Sequence, residues 1–336
     1  MLDDMGAALC LASAACFGAM AIFGKFAYQA GVSPAALLLV RFSLAAALLT
    51  MLLLLRPGLR RAEPDLSTGR PAGRLATARW RVLGTAIGLG AVGYAAQASL
   101  YFSALKVMDA SLLSLILYTY PVLVTVTAVL LGRDRLTRGC AAALAAASAG
   151  TVLVLLGAGG GSFQLLGTVL AFGAAITYTV YILVADTVVH RLSPVVLSTL
   201  VMAGAAGTLA ARALLTGGVD LDFGLRGWFW LSCIAVVSTV VAMLAFFAGL
   251  KRTGPSTAAI LSTFEPVVTT ALAGLALGES LSAVQIVGGV LVLSAVAVLQ
   301  ARPAHRDPVF GGRRRPEAVG AGAMELRRSS VQPETM

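Results

Sequence analysis

The sequence predicts an all-α polytopic membrane protein, with ten transmembrane helices arranged as two inverted five-helix repeats. Three observations carry this. Of the 336 residues, 58% are hydrophobic and only 12% charged, with a mean hydropathy of +0.89, whereas soluble domains run near a quarter charged. Ten stretches are mainly apolar over the roughly twenty residues a bilayer crossing needs. Finally, residues 102–137 recur without a gap at 247–282, pairing Phe102 with Phe247, Lys106 with Lys251, Ser111 with Ser256, Pro121 with Pro266 and Thr125 with Thr270. Acid stays with acid at Asp134 and Glu279. Such self-similarity inside apolar sequence marks a protein built from two like halves. Abundant Ala and Gly with 7% aromatic residues suit closely packed helices rather than a β-barrel.

The expected spans follow in order. Span 6–28 contains Phe17-Gly18-Ala19 and ends near Lys25, and Ser33-Pro34 then starts span 34–55, which carries Arg41. Span 82–104 holds Tyr94, Gln97 and Tyr101, and its Gly84 and Gly88 read as close helix contacts. Span 109–131 has Tyr118 and Tyr120 beside Pro121, and span 138–157 ends in the glycine run 157–161 that links the halves. Span 164–186 brings Tyr178 and Tyr181, and Ser193-Pro194 starts span 194–216. Span 226–249 opens on Arg226, Trp228 and Trp230, an interfacial belt. Span 255–277 has Glu265 near its middle beside Pro266, and span 282–301 has the small-residue contact Gly288-Gly289. The domains are therefore a first repeat at 1–157, a second at 163–301, and a tail at 302–336. The tail is rich in Arg, Pro and Gly, and is expected to be disordered and to touch anionic headgroups.

Orientation comes from the basic residues. With a cytoplasmic N-terminus, one side receives the arginines of 56–81, then Arg133, Arg135, Arg138, Arg191, Lys251, Arg252 and those of the tail. The other side receives Lys25, Lys106, Arg212 and Arg226. The ratio is about five to one, so both termini are placed in the cytoplasm of a plasma (cytoplasmic) membrane protein. An odd number of spans per half inserts the copies in opposite directions: Lys106 falls on the outer side and its counterpart Lys251 on the inner. Inverted repeats of this kind support alternating access.

Other classes fit less well. The net charge of +10 lies in loops between apolar spans, which is a topology signal and not a nucleic-acid surface. Cys10, Cys16, Cys140 and Cys233 lie in apolar segments without metal-ligand spacing and read as packing residues. The start MLDD lacks the charge of a signal peptide, so the first span is expected to stay as a membrane helix. No Walker motif is present. His190 and His305 lie in a loop and in the tail, so no nucleophile–base pair or metal site is expected at membrane depth, and no cofactor.

The doubled pattern resembles the EamA-type family of the drug/metabolite transporter superfamily. It runs from Ala104-Leu105-Lys106 through Pro121 to Asp134-Arg135-Leu136-Thr137. It returns from Gly249-Leu250-Lys251 through Glu265-Pro266 to Gly278-Glu279-Ser280-Leu281-Ser282. Phe172-Gly173-Ala174 echoes Phe17-Gly18-Ala19, with Phe17 standing where many members carry Trp, and Arg41 sits where members often carry Arg. The resemblance implies ten helices, cytoplasmic termini and export or exchange of small metabolites such as amino acids.

An ionisable side chain in hydrocarbon costs at least about 2.5–3.5 kcal/mol on insertion scales, which makes it a functional candidate. Glu265 leads, because its repeat counterpart is the neutral Tyr120 and the negative charge occurs once at that depth. The substrate-binding candidates are Glu265, Tyr120, Tyr118, Tyr178, Tyr181, Gln97 and Arg41. Pro121 and Pro266 are candidate hinges, each kinking its span and freeing a carbonyl. Lys106, Asp134, Lys251 and Glu279 sit at span ends, where capping and snorkelling explain them. Glu265 has three readings: it holds the ammonium of an amino-acid-like solute with Arg41 on the carboxylate, it exchanges a coupling proton, or it forms a fixed ion pair. The expected function is secondary transport of a small-molecule solute, with a proton or other coupling ion, among membrane lipids, as a monomer or homodimer. An integral membrane enzyme and a lipid-flipping or structural membrane protein remain the alternatives.

Overall fold

The structure is a computed structural model, and it describes residues 2–60, 72–131, 138–157, 165–185, 187–188, 191–253 and 261–300. The expected tail, Asp134, His190, His305, Ser256 and the glycines at 158–161 lie outside the described residues, and so does the side chain of Lys251. Regular structure among the described residues is helical. The helices are α1 (Leu2–Gln29), α2 (Pro34–Leu55), α3 (Ala72–Gly88), α4 (Ala95–Val107), α5 (Ala110–Leu117), α6 (Tyr120–Leu130), α7 (Arg138–Gly157), α8 (Leu165–Ala185), α9 (Pro194–Leu215), α10 (Leu225–Ala235), α11 (Ala242–Thr253), α12 (Glu265–Leu277) and α13 (Ala283–Gln300).

Among the described residues, seven helical stretches are long and apolar enough to cross a membrane, and three shorter apolar helices accompany them. Two of the seven run through a widened turn with i→i+5 bonding. Leu89–Tyr94 joins α3 to α4, and Val236–Val241 joins α10 to α11. A third, Ala110–Thr127, spans α5 and α6.

Local sequence explains several boundaries. Ser33 and Ser193 cap α2 and α9, their hydroxyls accepting from Ala36 N at 3.1 Å and Val196 N at 3.4 Å. Pro34 and Pro194 occupy the first helical position, where no N–H is needed. At the end of α12, Gly278 adopts φ 69°, a left-handed turn that Gly enters without steric cost. That turn aims Glu279 at the start of α5. Its Oε1 accepts from Ala110 N at 2.9 Å, and its Oε2 accepts from Ser111 N at 3.0 Å and Ser111 Oγ at 2.8 Å. The capping role read for Glu279 thus serves a helix far away in sequence.

Helix α1 lies along α10, α11 and α12, while α8 lies along α4, α5 and α6. Helix α2 pairs with α9, and α7 with α13. In the last pair a Cβ on Gly150 would come within 2.7 Å of Gly288 O, and one on Gly288 within 2.6 Å of Gly150 O. Backbone contact of this kind is how helices bind in lipid, where burial of apolar surface supplies little drive. Gly289 abuts Leu115, but Gly84 and Gly88 meet nothing within 4 Å among the described residues, so the close contact expected at those two is absent there. The core is apolar, with Phe42, Phe102, Leu105, Leu112, Ile116 and Leu231 buried. The periphery is apolar too: Leu130, Leu215 and Leu275 are each at least 80% exposed, a surface suited to hydrocarbon rather than water.

Candidate functional site

Two interruptions create the site. Helix α5 ends at Leu117 and α6 restarts at Tyr120 with Pro121 in its first turn; α12 starts at Glu265 with Pro266 in its first turn. The expected kinks fall at two-residue turns, 118–119 and 263–264, where Thr119 and Phe264 stay near helical (φ/ψ −77°/−15° and −73°/−18°) while the regular bonding lapses. Pro266 has no N–H to give Ser262 O, its partner in a continuous helix. That carbonyl instead accepts from Tyr118 Oη at 2.8 Å. The same hydroxyl lies 2.9 Å from Glu265 Oε2. A phenol has one proton to donate and retains acceptor capacity, so the trio accommodates both charge states of the carboxyl. When Glu265 is ionised, Tyr118 donates to it. When Glu265 is protonated, it donates to Tyr118, and Tyr118 donates to Ser262 O.

Glu265 is held from behind by α1. Thr269 Oγ1 is 3.1 Å from both Gly18 O and Glu265 O, and a Cβ on Gly18 would approach Glu265 O to 2.9 Å. Only a glycine lets α1 lie this close to the first turn of α12. The positive end of the α12 dipole favours a carboxylate there. Among the described residues Glu265 has no ion-pair partner. Lys25 donates from Nζ to Met108 O at 2.7 Å.

Arg41 projects from α2 and is 2% exposed. Its Nε donates to Thr239 Oγ1 at 3.0 Å, and its Nη2 lies 3.5 Å from Tyr94 Oη. The guanidinium sits 5.2 and 5.5 Å from the ring centres of Phe42 and Phe102, and these rings attract a desolvated cation. No carboxylate pairs with it among the described residues, so part of its five-donor fork is left for the space it faces.

That space is a cavity of about 100 Å³ with Arg41 and Glu265 both on its wall. Gln97, Tyr94, Tyr101, Tyr118, Tyr120 and Tyr178 supply the other polar groups, and Phe17, Met20, Phe102 and Leu117 the apolar ones. Gln97 is 8% exposed, and its amide has no hydrogen-bond partner among the described residues. The phenol rings form a chain: Tyr118 to Tyr120 at 5.7 Å, Tyr120 to Tyr178 at 4.7 Å, Tyr178 to Tyr181 at 5.8 Å and Tyr181 to Tyr94 at 5.5 Å. The structure thus brings Glu265, Arg41, Gln97, Tyr118, Tyr120 and Tyr178 to one cavity, while Tyr181 stands behind it and supports Tyr94 and Tyr178. Pro121 and Pro266 lie at the helix restarts beside it. A water occupies roughly 30 Å³, so the cavity admits a few waters or the polar head of a small solute. Drug-sized ligands need about 300 Å³ or more.

Sequence reasoning passed over Thr239, a hydroxyl inside a Val-rich run. Its signal is in the repeat: carried back from Phe102 and Phe247, the register pairs Thr239 with Tyr94. Trp230, expected at the interface, stacks on Phe23 and Phe26 at 5.7 and 4.7 Å. Among the described residues no three His, Cys, Asp or Glu side chains are grouped as a metal site would require.

The profile of the EamA-like transporter family matches residues 4–156 and again residues 165–300. An uncharacterized transporter of Bacillus subtilis, YcbK, is 28% identical over 292 residues, covering 84% of this chain and 88% of the relative. An uncharacterized transporter of Archaeoglobus fulgidus is 25% identical over 214 residues, 64% of this chain and 75% of the relative. One solved crystal structure superposes with a TM-score of 0.60 at 22% identity, covering 87% of this chain and 95% of that one, a likeness of fold.

Proposed function

Because the chain belongs to the EamA-like transporter family, we propose that it is a secondary transporter that exports or exchanges a small amino-acid-like or amphipathic metabolite by alternating access. The observation that carries this reading is a pair of opposite charges, Arg41 and Glu265, on one small interior cavity without an ion-pair partner for either among the described residues. A buried charge that is unpaired within the protein is costly. A zwitterionic solute relieves both at once, its carboxylate on the Arg41 fork and its ammonium on Glu265. Gln97 and the tyrosine hydroxyls complete its polar contacts, and the rings bear on its side chain.

In this reading ten spans form two inverted repeats, 1–157 and 163–301, with both termini in the cytoplasm. The double family match supports the two halves, and so does the reciprocity of the packing. Helix α1 lies against α11 and α12 of the other half, just as α8 lies against α4, α5 and α6, while α2 with α9 and α7 with α13 are self-reciprocal. The proton-tolerant trio of Glu265, Tyr118 and Ser262 supports a coupling proton that leaves or returns as the solute exchanges. The family and the relatives are named for transport, which points away from an enzyme.

The test is counterflow in proteoliposomes loaded with a metabolite panel. At least one small zwitterion should exchange unchanged across the bilayer, and Glu265→Gln should abolish or uncouple that exchange. If no solute moves, or if the solute emerges chemically altered, the transporter reading is wrong.

A further inference from the structure

Arg41 is bonded by one residue from each half, and the two residues are counterparts. The register that pairs Phe102 with Phe247, carried back beyond the repeated block, pairs Tyr94 with Thr239. Each lies in a widened turn, Tyr94 in Leu89–Tyr94 and Thr239 in Val236–Val241. These are the two i→i+5 segments among the described residues, and their positions agree to within two residues of the repeat register. Turns of this type recur at functional sites because they insert one residue into a helix at the expense of regular bonding. Here Thr239 Oγ1 itself donates to Ile234 O, five residues back, at 3.0 Å. The neighbouring Ser238 hydroxyl is fully buried and has no hydrogen-bond partner among the described residues, an unusual arrangement that a rearrangement of the turn can relieve.

The two bonds are unequal. Arg41 is at hydrogen-bond distance from Thr239, 3.0 Å, and at the limit of one from Tyr94, 3.5 Å. We propose that Arg41 is a two-position toggle between the widened turns of the two halves, and that Thr239 and Tyr94 are positioning residues that set which state is favoured. The proposal rests on the alternating-access reading above. Counted from Pro34 and Pro194, the counterpart of Arg41 is the apolar Val201, so one guanidinium serves both widened turns, and when the halves exchange conformations its short bond passes from Thr239 to Tyr94. In the state described, the end of the bundle at Glu279 is tied by the cap on α5. The bond to Thr239 therefore accompanies closure at that end, and the bond to Tyr94 accompanies its opening. A planar guanidinium with five donors can change one partner while keeping others. Solute engaging the same fork then competes with both bonds and lowers the barrier between the states.

Paired spin labels in lipid nanodiscs test this, in a background with the native cysteines replaced. One pair sits at Lys106 and Ser280, the other at Arg138 and Arg252 at the far end; all four are exposed. Wild type should show a short and a long component for each pair. Thr239→Val removes the polar acceptor and should raise the long component at Lys106 and Ser280, about tenfold in population ratio, and the short component at the far end. Tyr94→Phe should shift both pairs the opposite way. Thr239→Ser keeps the hydroxyl and should match wild type. Should Thr239→Val fail to fold, Thr239→Ala and Tyr94→Phe carry the same opposed expectation. A wild type with one component at each end overturns alternating access and the toggle with it. A wild type with two components, whose two variants shift in the same direction or not at all, overturns the toggle alone.

Discussion

Two helices restart at a proline within the same bundle, α6 at Tyr120-Pro121 and α12 at Glu265-Pro266, at matching positions of the repeat. Their backbones do the same thing and their chemistry differs. The first places a phenol at the restart and the second a carboxylate. The residue two positions earlier is Tyr118 in one and Thr263 in the other. Tyr118 reaches across to Glu265 and to Ser262 O. A duplicated scaffold has thus been specialised into a donor side and an acceptor side around one cavity, as expected if a single solute passes through one site.

The sharpest way to break the comparison is to make the two restarts alike. Glu265→Gln keeps the shape and removes the charge. It should cut transport by about 100-fold, the scale of losing one partner of a desolvated charged contact, while thermal stability stays near wild type. Tyr120→Phe at the matching position should cost no more than about threefold, since it removes one of several hydroxyls. Equal losses in the two would mean the charge has no special place, and a Glu265→Gln protein that unfolds while its folded fraction transports normally would make the residue structural.

A smaller effect is expected at Tyr118. Removing its hydroxyl with Tyr118→Phe leaves Glu265 without its donor and Ser262 O without that bond, so initial transport rates should fall about tenfold. Unchanged rates would show that the proton-tolerant trio has no part in the cycle.

The sequence made the class and most of the cavity legible, for physical reasons. Apolar stretches of bilayer length report on membrane helices directly, because lipid permits little else. Glu265 and Arg41 stood out because charge in an apolar span is rare. Tyr118 and Tyr120 were found by their closeness to Pro121, and Tyr178 as a hydroxyl inside an apolar span. What the sequence left unread depends on three-dimensional neighbours. Thr239 is an unremarkable hydroxyl until Arg41 arrives from another helix, and the widened turns have no local signature in LGAVGY or VVSTVV. Gly84 and Gly88 show the converse, a small-residue spacing that meets no partner among the described residues. The prolines foretold the place of each interruption but not the Tyr118 hydroxyl that the freed Ser262 carbonyl finds, since a missing N–H names no replacement.

The finest distinction concerns those missing donors. Pro266→Ala supplies an N–H that can reach Ser262 O, in competition with Tyr118, so the mutation should tilt Tyr118 towards Glu265 and stiffen the restart of α12. Pro121→Ala supplies an N–H for Leu117 O, which receives no side-chain hydrogen bond among the described residues, so nothing is displaced. Both changes should alter stability by no more than about 1 kcal/mol, the range of proline effects at compatible positions. Transport should slow about threefold in Pro266→Ala, as expected for the partial loss of one hydrogen bond, and by less than half that in Pro121→Ala. Stopped-flow exchange rates on the two variants, with melting temperatures as the stability control, decide the matter. Equal slowing in both would mean that the two restarts act as matched hinges, and that the traffic of one phenolic proton between Ser262 O and Glu265 does not set the rate.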